Sequence, residues 1–195
     1  MSSVPAFLAS LGLILSILQL SSFLSDPPHK CSDCETWNKP REPFRVFANT
    51  YYVGTDGLSA LLIAGDAGHV LLDGGLTQSA PLIDASIRKL GFRTEDIKLI
   101  VVSHGHFDHA GGVAALQRAS GAVVAASEST AEALGRGENT PDDPQFGFGR
   151  AFNGFPTVAK VRVAADGEVL KVGRLALTVH LIPGHAPGSA ATPPA

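Results

Sequence analysis

The segment SHGHFDHAGG, residues 103–112, places three histidines and one aspartate within the six positions from His104 to His109. It follows the run IKLIVVSH, which is apolar on both faces in the manner of a central strand buried within a sheet. The fold must therefore deliver four nitrogen and oxygen donors at the end of a rigid strand. This segment constrains the architecture more than any other part of the chain.

The spacing of these donors predicts a metal site. Residues two apart in extended backbone point to the same side, so His104 and His106 can approach one ion. We expect the glycines at 111–112 to supply backbone freedom for a turn, after which Asp108 and His109 reach a second position nearby. Imidazole and carboxylate donors without thiolate favour zinc over iron or manganese.

Composition limits the other classes of function. The 195 residues suffice for one domain with a sizeable core, and 45% apolar with 17% charged residues is typical of a globular protein. The formal net charge is −3, from 15 basic and 18 acidic residues, and no run of basic residues occurs. The sequence therefore gives no indication of nucleic-acid binding.

The N-terminal residues 1–25 carry no charged side chain and contain the apolar block LASLGLILSILQL, followed by small residues. This pattern predicts a secretory signal peptide, and an uncleaved membrane anchor is the alternative. Either reading places the remainder outside the cytoplasm, so we expect a periplasmic or secreted protein, without stable membrane association once the signal is cleaved. A proline-containing linker is predicted over residues 26–43.

That segment contains Cys31 and Cys34 in a C-x-x-C arrangement. A structural zinc site would need a second pair of ligands, which the sequence lacks. After export the two thiols could bond to each other or to a partner outside the chain. We expect them to be a detail of the linker with no catalytic role.

From Phe44 onward, short strands alternate with helices, which predicts a mixed α/β domain. FRVFANTYYVGT is typical of a strand, and SALLIAGDAGHVLLDGG of a hairpin. SAPLIDASIRKLGF has helical periodicity, with Ser79 as a cap and Gly91 as a stop. Shorter helices and strands are predicted for the rest, and the aperiodic stretch 136–156 is expected to be a long, functional loop.

The H-x-H-x-D-H motif, LLDGG (residues 71–75) and PGHAPGS (residues 183–189) together resemble the metallo-β-lactamase superfamily, and the resemblance extends from Phe44 to Ser189. It implies the αββα sandwich of that superfamily, represented here by its N-terminal portion. It also implies two zinc ions per complete site. By this resemblance the first zinc is held by His104, His106 and His185, the second by Asp108 and His109, and Asp73 orients the ligand loop.

Within the superfamily, His109 and the segments TYYVGTDGLSALLI and GHAPGS look most like subclass B3 β-lactamases. The resemblance implies zinc-dependent hydrolysis of the β-lactam ring amide, hence antibiotic resistance. The substrate is then a small-molecule β-lactam, and Asp108 orients the attacking hydroxide. Two alternatives stay open. One is another exported metallohydrolase that cleaves a lactone, thioester or phosphoester, and the other is an inactive metal-binding remnant.

The domain over residues 44–195 is expected to be incomplete, because members of the superfamily are longer and the chain ends six residues after PGHAPGS. We expect the sixth metal ligand, a histidine on the second zinc, to be absent and the activity to be impaired. His180 is expected to pack rather than coordinate. His29 and His69 are given no role.

Overall fold

The computed structural model describes residues 24–193. The predicted signal peptide lies outside these residues except for its last two positions, and one of those, Leu24, is 4% exposed and belongs to the core. Within residues 24–193, no helix has the length and hydropathy needed to cross a membrane.

The described chain alternates strands and helices as the sequence predicts. The helices are α1 (Cys34–Trp37), α2 (Ala80–Lys89), α3 (Phe107–Ala110), α4 (Val113–Ser120), α5 (Glu128–Arg136) and α6 (Arg150–Asn153). The strands are β1 (Phe44–Phe47), β2 (Thr50–Tyr52), β3 (Leu61–Ile63), β4 (His69–Leu72), β5 (Ile97–Val101), β6 (Val123–Ala126), β7 (Val161–Val163), β8 (Val169–Val172), β9 (Leu175–Thr178), β10 (His180–Leu181) and β11 (Ala190–Ala191). Single 3₁₀ turns lie at Thr77–Ser79, Thr94–Asp96 and Phe146–Phe148.

Strands β1 to β7 form one sheet in the order of the chain. The first four are antiparallel, and the pairs β4–β5, β5–β6 and β6–β7 are parallel. Each parallel connection passes through a helix, as parallel strands require. Strand β5 lies in the middle of the parallel part and is buried on both faces, which explains why its sequence is almost continuously apolar.

The two faces of the sheet bury different partners. On one face, Ile83 and Ile87 of α2 and Leu116 of α4 pack with Leu71 and Ile100 of the sheet. On the other face, the core is completed by the β8–β9 hairpin and contains Val70, Leu99, Val101, Leu170 and Leu177. Helices, sheet and second sheet thus form successive layers, which confirms the α/β class predicted from the sequence.

The segment predicted as one strand from residue 44 is instead a hairpin. The strands β1 and β2 pair antiparallel across the turn Ala48–Asn49, and Ala48 adopts a φ of 44°. The turn is hard to predict from the sequence, because alanine seldom occupies left-handed backbone conformations and no glycine marks the position.

The predicted linker 26–43 packs on the domain instead of standing apart from it. Cys31 and Cys34 are joined by a disulfide, and Cys34 is buried in the core at the start of α1. The carbonyl of Trp37 accepts hydrogen bonds from the Thr55 hydroxyl at 2.7 Å and the Gly57 amide at 3.0 Å. These contacts order the segment although its composition is typical of a linker.

The parallel strands bring the polar motifs to one edge of the sheet. Asp73 follows β4, His104 follows β5 and Ser127 follows β6. Because parallel strands end on the same side, these residues lie at the edge where open α/β sheets bind ligands.

Candidate metal centre

The structure brings together the donors that the sequence predicts as ligands. One ligand atom from each of His104, His106 and His185 lies within 4.8 Å of the others, although His185 is remote in sequence. A second group with the same closeness contains His104, Asp108 and His109. His104 belongs to both groups and therefore lies between the two candidate metal positions.

His104 has the environment of a metal ligand. The residue is 7% exposed, and its buried Nε2 has no hydrogen-bond partner among residues 24–193. Burial, together with the neighbouring rings of His109 and His106, lowers the pKa of His104 to about 4. The ring is therefore neutral at physiological pH, and an unsatisfied buried nitrogen of this kind needs an explanation, which a metal ion would supply.

Both ring nitrogens of His106 lie within hydrogen-bond distance of another side chain. Its Nδ1 lies 3.1 Å from His185 Nε2, and its Nε2 lies 2.8 Å from Asp143 Oδ2. Asp143 also accepts hydrogen bonds from the Gln145 amide and the Asn139 side chain. Burial alone would raise the pKa of Asp143, but these donors and His106 together lower it. The motif did not reveal Asp143, which lies in the aperiodic loop 37 residues along the chain.

Asp73 links the ends of two neighbouring strands. Its carboxylate accepts the Ser103 amide at 2.7 Å and the Ser103 hydroxyl at 2.8 Å, and it lies 2.9 Å from His109 Nδ1. Burial opposes the charged form of His109, but the hydrogen bond to Asp73 and the charges of Asp73 and Asp108 raise its pKa. Asp73 therefore lies against the loop that carries the predicted ligands, hydrogen-bonded to Ser103 and within reach of His109.

Asp73 and Asp108 lie next to different ring nitrogens of His109, Asp73 next to Nδ1 and Asp108 next to Nε2. Asp73 has a φ of 62°, an unusual conformation that is common near functional sites. Asp108, on α3, has an oxygen 3.6 Å from His109 Nε2, and both of these side chains are 26% exposed. Because the Nδ1 of His109 is hydrogen-bonded to Asp73, the Nε2 of His109, on the side of Asp108, is the nitrogen available to a second metal ion.

The loop that carries His185 is fixed by its backbone. The Ala190 amide donates to the Ser103 carbonyl at 2.8 Å, so the loop is joined to the end of β5. The hydroxyls of Ser127 and Thr130, at the start of α5, both donate to the Gly188 carbonyl, at 2.7 and 3.0 Å. His185 itself is exposed, and the cluster is open on that side.

The glycines at 111 and 112 are required for a different reason from the one expected. Gly111 has a φ of −56° and Gly112 of −85°, which other residues adopt readily. A Cβ at Gly112 would lie 2.3 Å from the Gly74 carbonyl oxygen, and one at Gly111 would lie 2.5 Å from the Thr77 amide nitrogen. Close packing of the loop after β4, rather than backbone freedom, explains both glycines.

The other histidines lie outside the two donor groups. His180 was expected to pack but is exposed, at the start of the short strand β10. His69 meets the ring of Phe92 edge-on. His29 stacks on Phe107 with ring centres 4.1 Å apart, so it lies beside the motif although no role was predicted for it.

The donor set therefore fits zinc. Imidazoles and a carboxylate converge without thiolates. Among residues 24–193 the buried Nε2 of His104 lacks a partner, and a carboxylate lies within hydrogen-bond distance of one ring nitrogen of His106 and one of His109. Exposed acidic clusters often occur without metal, but here His104 and His106 are both buried.

The fold and this centre define a known class. The sequence profile of the metallo-β-lactamase superfamily matches residues 53–191, and the chain belongs to that superfamily. Its solved neighbours include the Rm3 metallo-β-lactamase, with 55% identity and a TM-score of 0.78 over 83% of this chain and 59% of that one. MEM-A1, a subclass B3 metallo-β-lactamase from a soil metagenome library, has 52% identity and a TM-score of 0.76 over 79% of this chain and 57% of that one.

Curated relatives are more distant in sequence. Hydroxyacylglutathione hydrolase of Anaeromyxobacter dehalogenans is 38% identical over 70% of this chain and 41% of its own length. The human acyl-coenzyme A thioesterase MBLAC2 is 29% identical over 71% of this chain and 54% of its own. The chain thus spans about half the length of these curated relatives and somewhat more of the Rm3 and MEM-A1 chains.

Proposed function

We propose that this chain carries the zinc site of a subclass B3-like metallo-β-lactamase and that the whole protein hydrolyses the amide bond of the β-lactam ring. The observation that carries the proposal is the convergence of His104, His106 and His185, with the Nε2 of His104 buried and without a partner in residues 24–193. Identities of 52–55% to the Rm3 and MEM-A1 β-lactamases favour a β-lactam over the substrates of the curated relatives.

In this proposal His104, His106 and His185 hold one zinc, and Asp108 and His109 contribute to a second. When bound, zinc polarises the carbonyl that is attacked and lowers the pKa of water from about 15.7 toward about 7. Three histidines are a ligand set typical of catalytic zinc.

The remaining steps depend on the chain's own side chains. The low pKa of His104 keeps its ring neutral, so its nitrogen lone pair is available. Asp73 fixes the Nδ1 side of His109. Asp108, about one quarter exposed, can accept a hydrogen bond from the attacking water at a carboxylate oxygen and orient it toward the ring carbonyl.

The open side of the cluster suits a small-molecule substrate. His185 is exposed and Asp108 is partly exposed, while His104 and His106 are buried against the sheet. In this chain a small molecule can therefore reach the donor cluster from the side of His185 and Asp108, at the edge of the sheet. A β-lactam hydrolase would confer antibiotic resistance.

The curated relatives suggest a second substrate class, thioesters, on the same scaffold. The experiment compares this chain with a fusion, called the continued protein, in which the C-terminal part of the Rm3 β-lactamase that this chain does not match is joined to the C-terminus of this chain. We expect slow nitrocefin hydrolysis by the chain and faster hydrolysis by the continued protein, lost with EDTA and restored by zinc. In the continued protein, Asp108→Ala should remove most activity, while the exposed Asp142→Ala control should not.

If the continued protein is inert on every β-lactam but cleaves thioesters or lactones, the β-lactamase proposal is wrong. If it binds zinc but cleaves none of these substrates, the result supports the alternative that the protein is an inactive metal-binding remnant.

We also propose that the protein is exported to the periplasm or secreted. The uncharged apolar residues 1–25 support export, and so does the Cys31–Cys34 disulfide, because such bonds persist in oxidising compartments.

A further inference from the structure

We propose that Asp143 is a positioning residue that fixes the tautomer and orientation of His106, so that the Nδ1 of His106 faces the metal ion. The inference rests on the proposed zinc site and adds to it a residue outside the histidine motifs. Asp143 acts through His106, with which it is hydrogen-bonded, and is itself a member of neither donor group.

The hydrogen-bond chemistry determines the tautomer. Asp143 Oδ2 lies 2.8 Å from His106 Nε2, and the side chains of the two residues are 4% and 3% exposed. An ionised carboxylate can only accept, so the Nε2 of His106 carries the hydrogen. The Nδ1 of His106 then has a lone pair, and it is this atom that lies 3.1 Å from His185 Nε2.

The carboxylate of Asp143 is itself held in place. Its Oδ1 accepts the Gln145 amide at 2.8 Å and the Asn139 side-chain amide at 3.0 Å. The Asp143 amide donates to the Thr140 carbonyl at 2.9 Å, and Asn139 is 1% exposed. Two donors therefore occupy one oxygen, which leaves the other oxygen for His106.

This arrangement assigns a function to the loop 136–156, which is to orient the ring of His106. Hydrogen bonds to the far nitrogen of a metal-bound histidine set the tautomer and orient the ring, and their loss typically weakens metal binding about 10- to 100-fold. The loop then contributes to the metal centre through Asp143, without supplying a ligand itself.

The isosteric substitution Asp143→Asn tests the inference most sharply. The new amide keeps the shape, but its oxygen is still required by the Gln145 and Asn139 donors, so its NH₂ group faces His106 and donates to Nε2. The proton of His106 must then move to Nδ1, the nitrogen needed by the metal, just as a carboxylate-to-amide change leaves a protease histidine in the wrong tautomer.

We would measure the tautomer of His106 in the metal-free chain by nitrogen NMR of its histidine side chains, and zinc affinity by competition with a chelator. In Asp143→Asn we expect the hydrogen to move from Nε2 to Nδ1 and zinc affinity to fall about 10- to 100-fold, with the unfolding midpoint nearly unchanged. Asp142→Asn, the same chemical change at the exposed neighbouring residue, should alter neither quantity.

The variants His106→Ala and His185→Ala separate this inference from the zinc site itself. If both keep tight zinc, the proposed site is wrong. If both lose it while Asp143→Asn keeps parental affinity and an Nε2–H tautomer at His106, the zinc site stands and the role of Asp143 is wrong. If Asp143→Asn loses affinity without a change of tautomer, the proposed tautomer control is also overturned.

Discussion

Asp73 Oδ2 lies 2.9 Å from His109 Nδ1, so a residue at the end of β4 fixes a candidate ligand that follows β5. The same carboxylate accepts both the amide and the hydroxyl of Ser103. Since β4 and β5 are parallel neighbours, this one side chain joins the two strand ends and determines which nitrogen of His109 remains available.

Asp73→Ala should lower the affinity for zinc at the position formed by Asp108 and His109 by about 10- to 100-fold. It should also reduce stability by about 1–3 kcal/mol, because the Ser103 amide loses its partner. Titration of the second zinc equivalent and urea unfolding measure the two effects. Asp142→Ala is the control, and unchanged second-zinc affinity in Asp73→Ala would contradict the role given to Asp73.

Gly188→Ala should displace the loop that carries His185. A Cβ there would lie 2.5 Å from Thr130 Oγ1 and 2.7 Å from the Thr130 amide nitrogen, contacts too short to be tolerated. We expect a marked loss of affinity for the first zinc. Gly184→Ala lies in the same loop, and its Cβ would meet no atom of the described residues 24–193 within 4 Å, so it should bind zinc as the parent chain does. Equal affinities in the two variants would show that the Gly188 anchor is dispensable.

Arg88→Met should destabilise the fold without affecting the metal centre. The Arg88 guanidinium donates to Asp84 at 2.9 Å, and Asp84, which also accepts the Thr94 hydroxyl, is 8% exposed. Removing the partner of a buried carboxylate should lower the free energy of unfolding by about 1–3 kcal/mol, measured in guanidinium chloride.

Arg93→Met is the matched control for that prediction. The Arg93 side chain is 68% exposed and lies 3.7 Å from Glu95, so its loss should cost less than about 1 kcal/mol. The explanation fails if both arginine variants lose the same stability.

Export predicts a shortened N-terminus. Mass spectrometry of periplasmic material should find a chain that begins near residue 25, after the uncharged block. Recovery of the full-length chain from the membrane fraction alone would favour the anchor instead.

The sequence predicts a helix or strand well where neighbouring residues carry its hydrophobic periodicity. Ile83 and Ile87 recur with helical spacing, and both are fully buried in α2. The β1–β2 turn at Ala48 and the packing of Trp37 were missed, because neither has a local signature. The Trp37 contacts join residues about 20 positions apart, and the turn at Ala48, although local, carries no glycine to mark it.

The same distinction holds for the candidate site. His104, His106, Asp108 and His109 are close in sequence, so their spacing alone predicts that they converge. His185 could be assigned only by resemblance to the superfamily. Asp143 escaped prediction because an aspartate in a loop rich in glycine, proline and asparagine resembles any solvated loop residue until the fold brings it to His106.

We propose above that His104, His106 and His185 share one zinc ion. The direct measurement is zinc bound per chain after exhaustive dialysis, for the parent chain and for His104→Ala, His106→Ala and His185→Ala. We predict close to one tightly retained zinc and a second that is lost readily in the parent, and loss of the tight zinc in each variant. Retention of tight zinc by the His104→Ala chain, or two equally retained ions in the parent, would contradict the proposed zinc site.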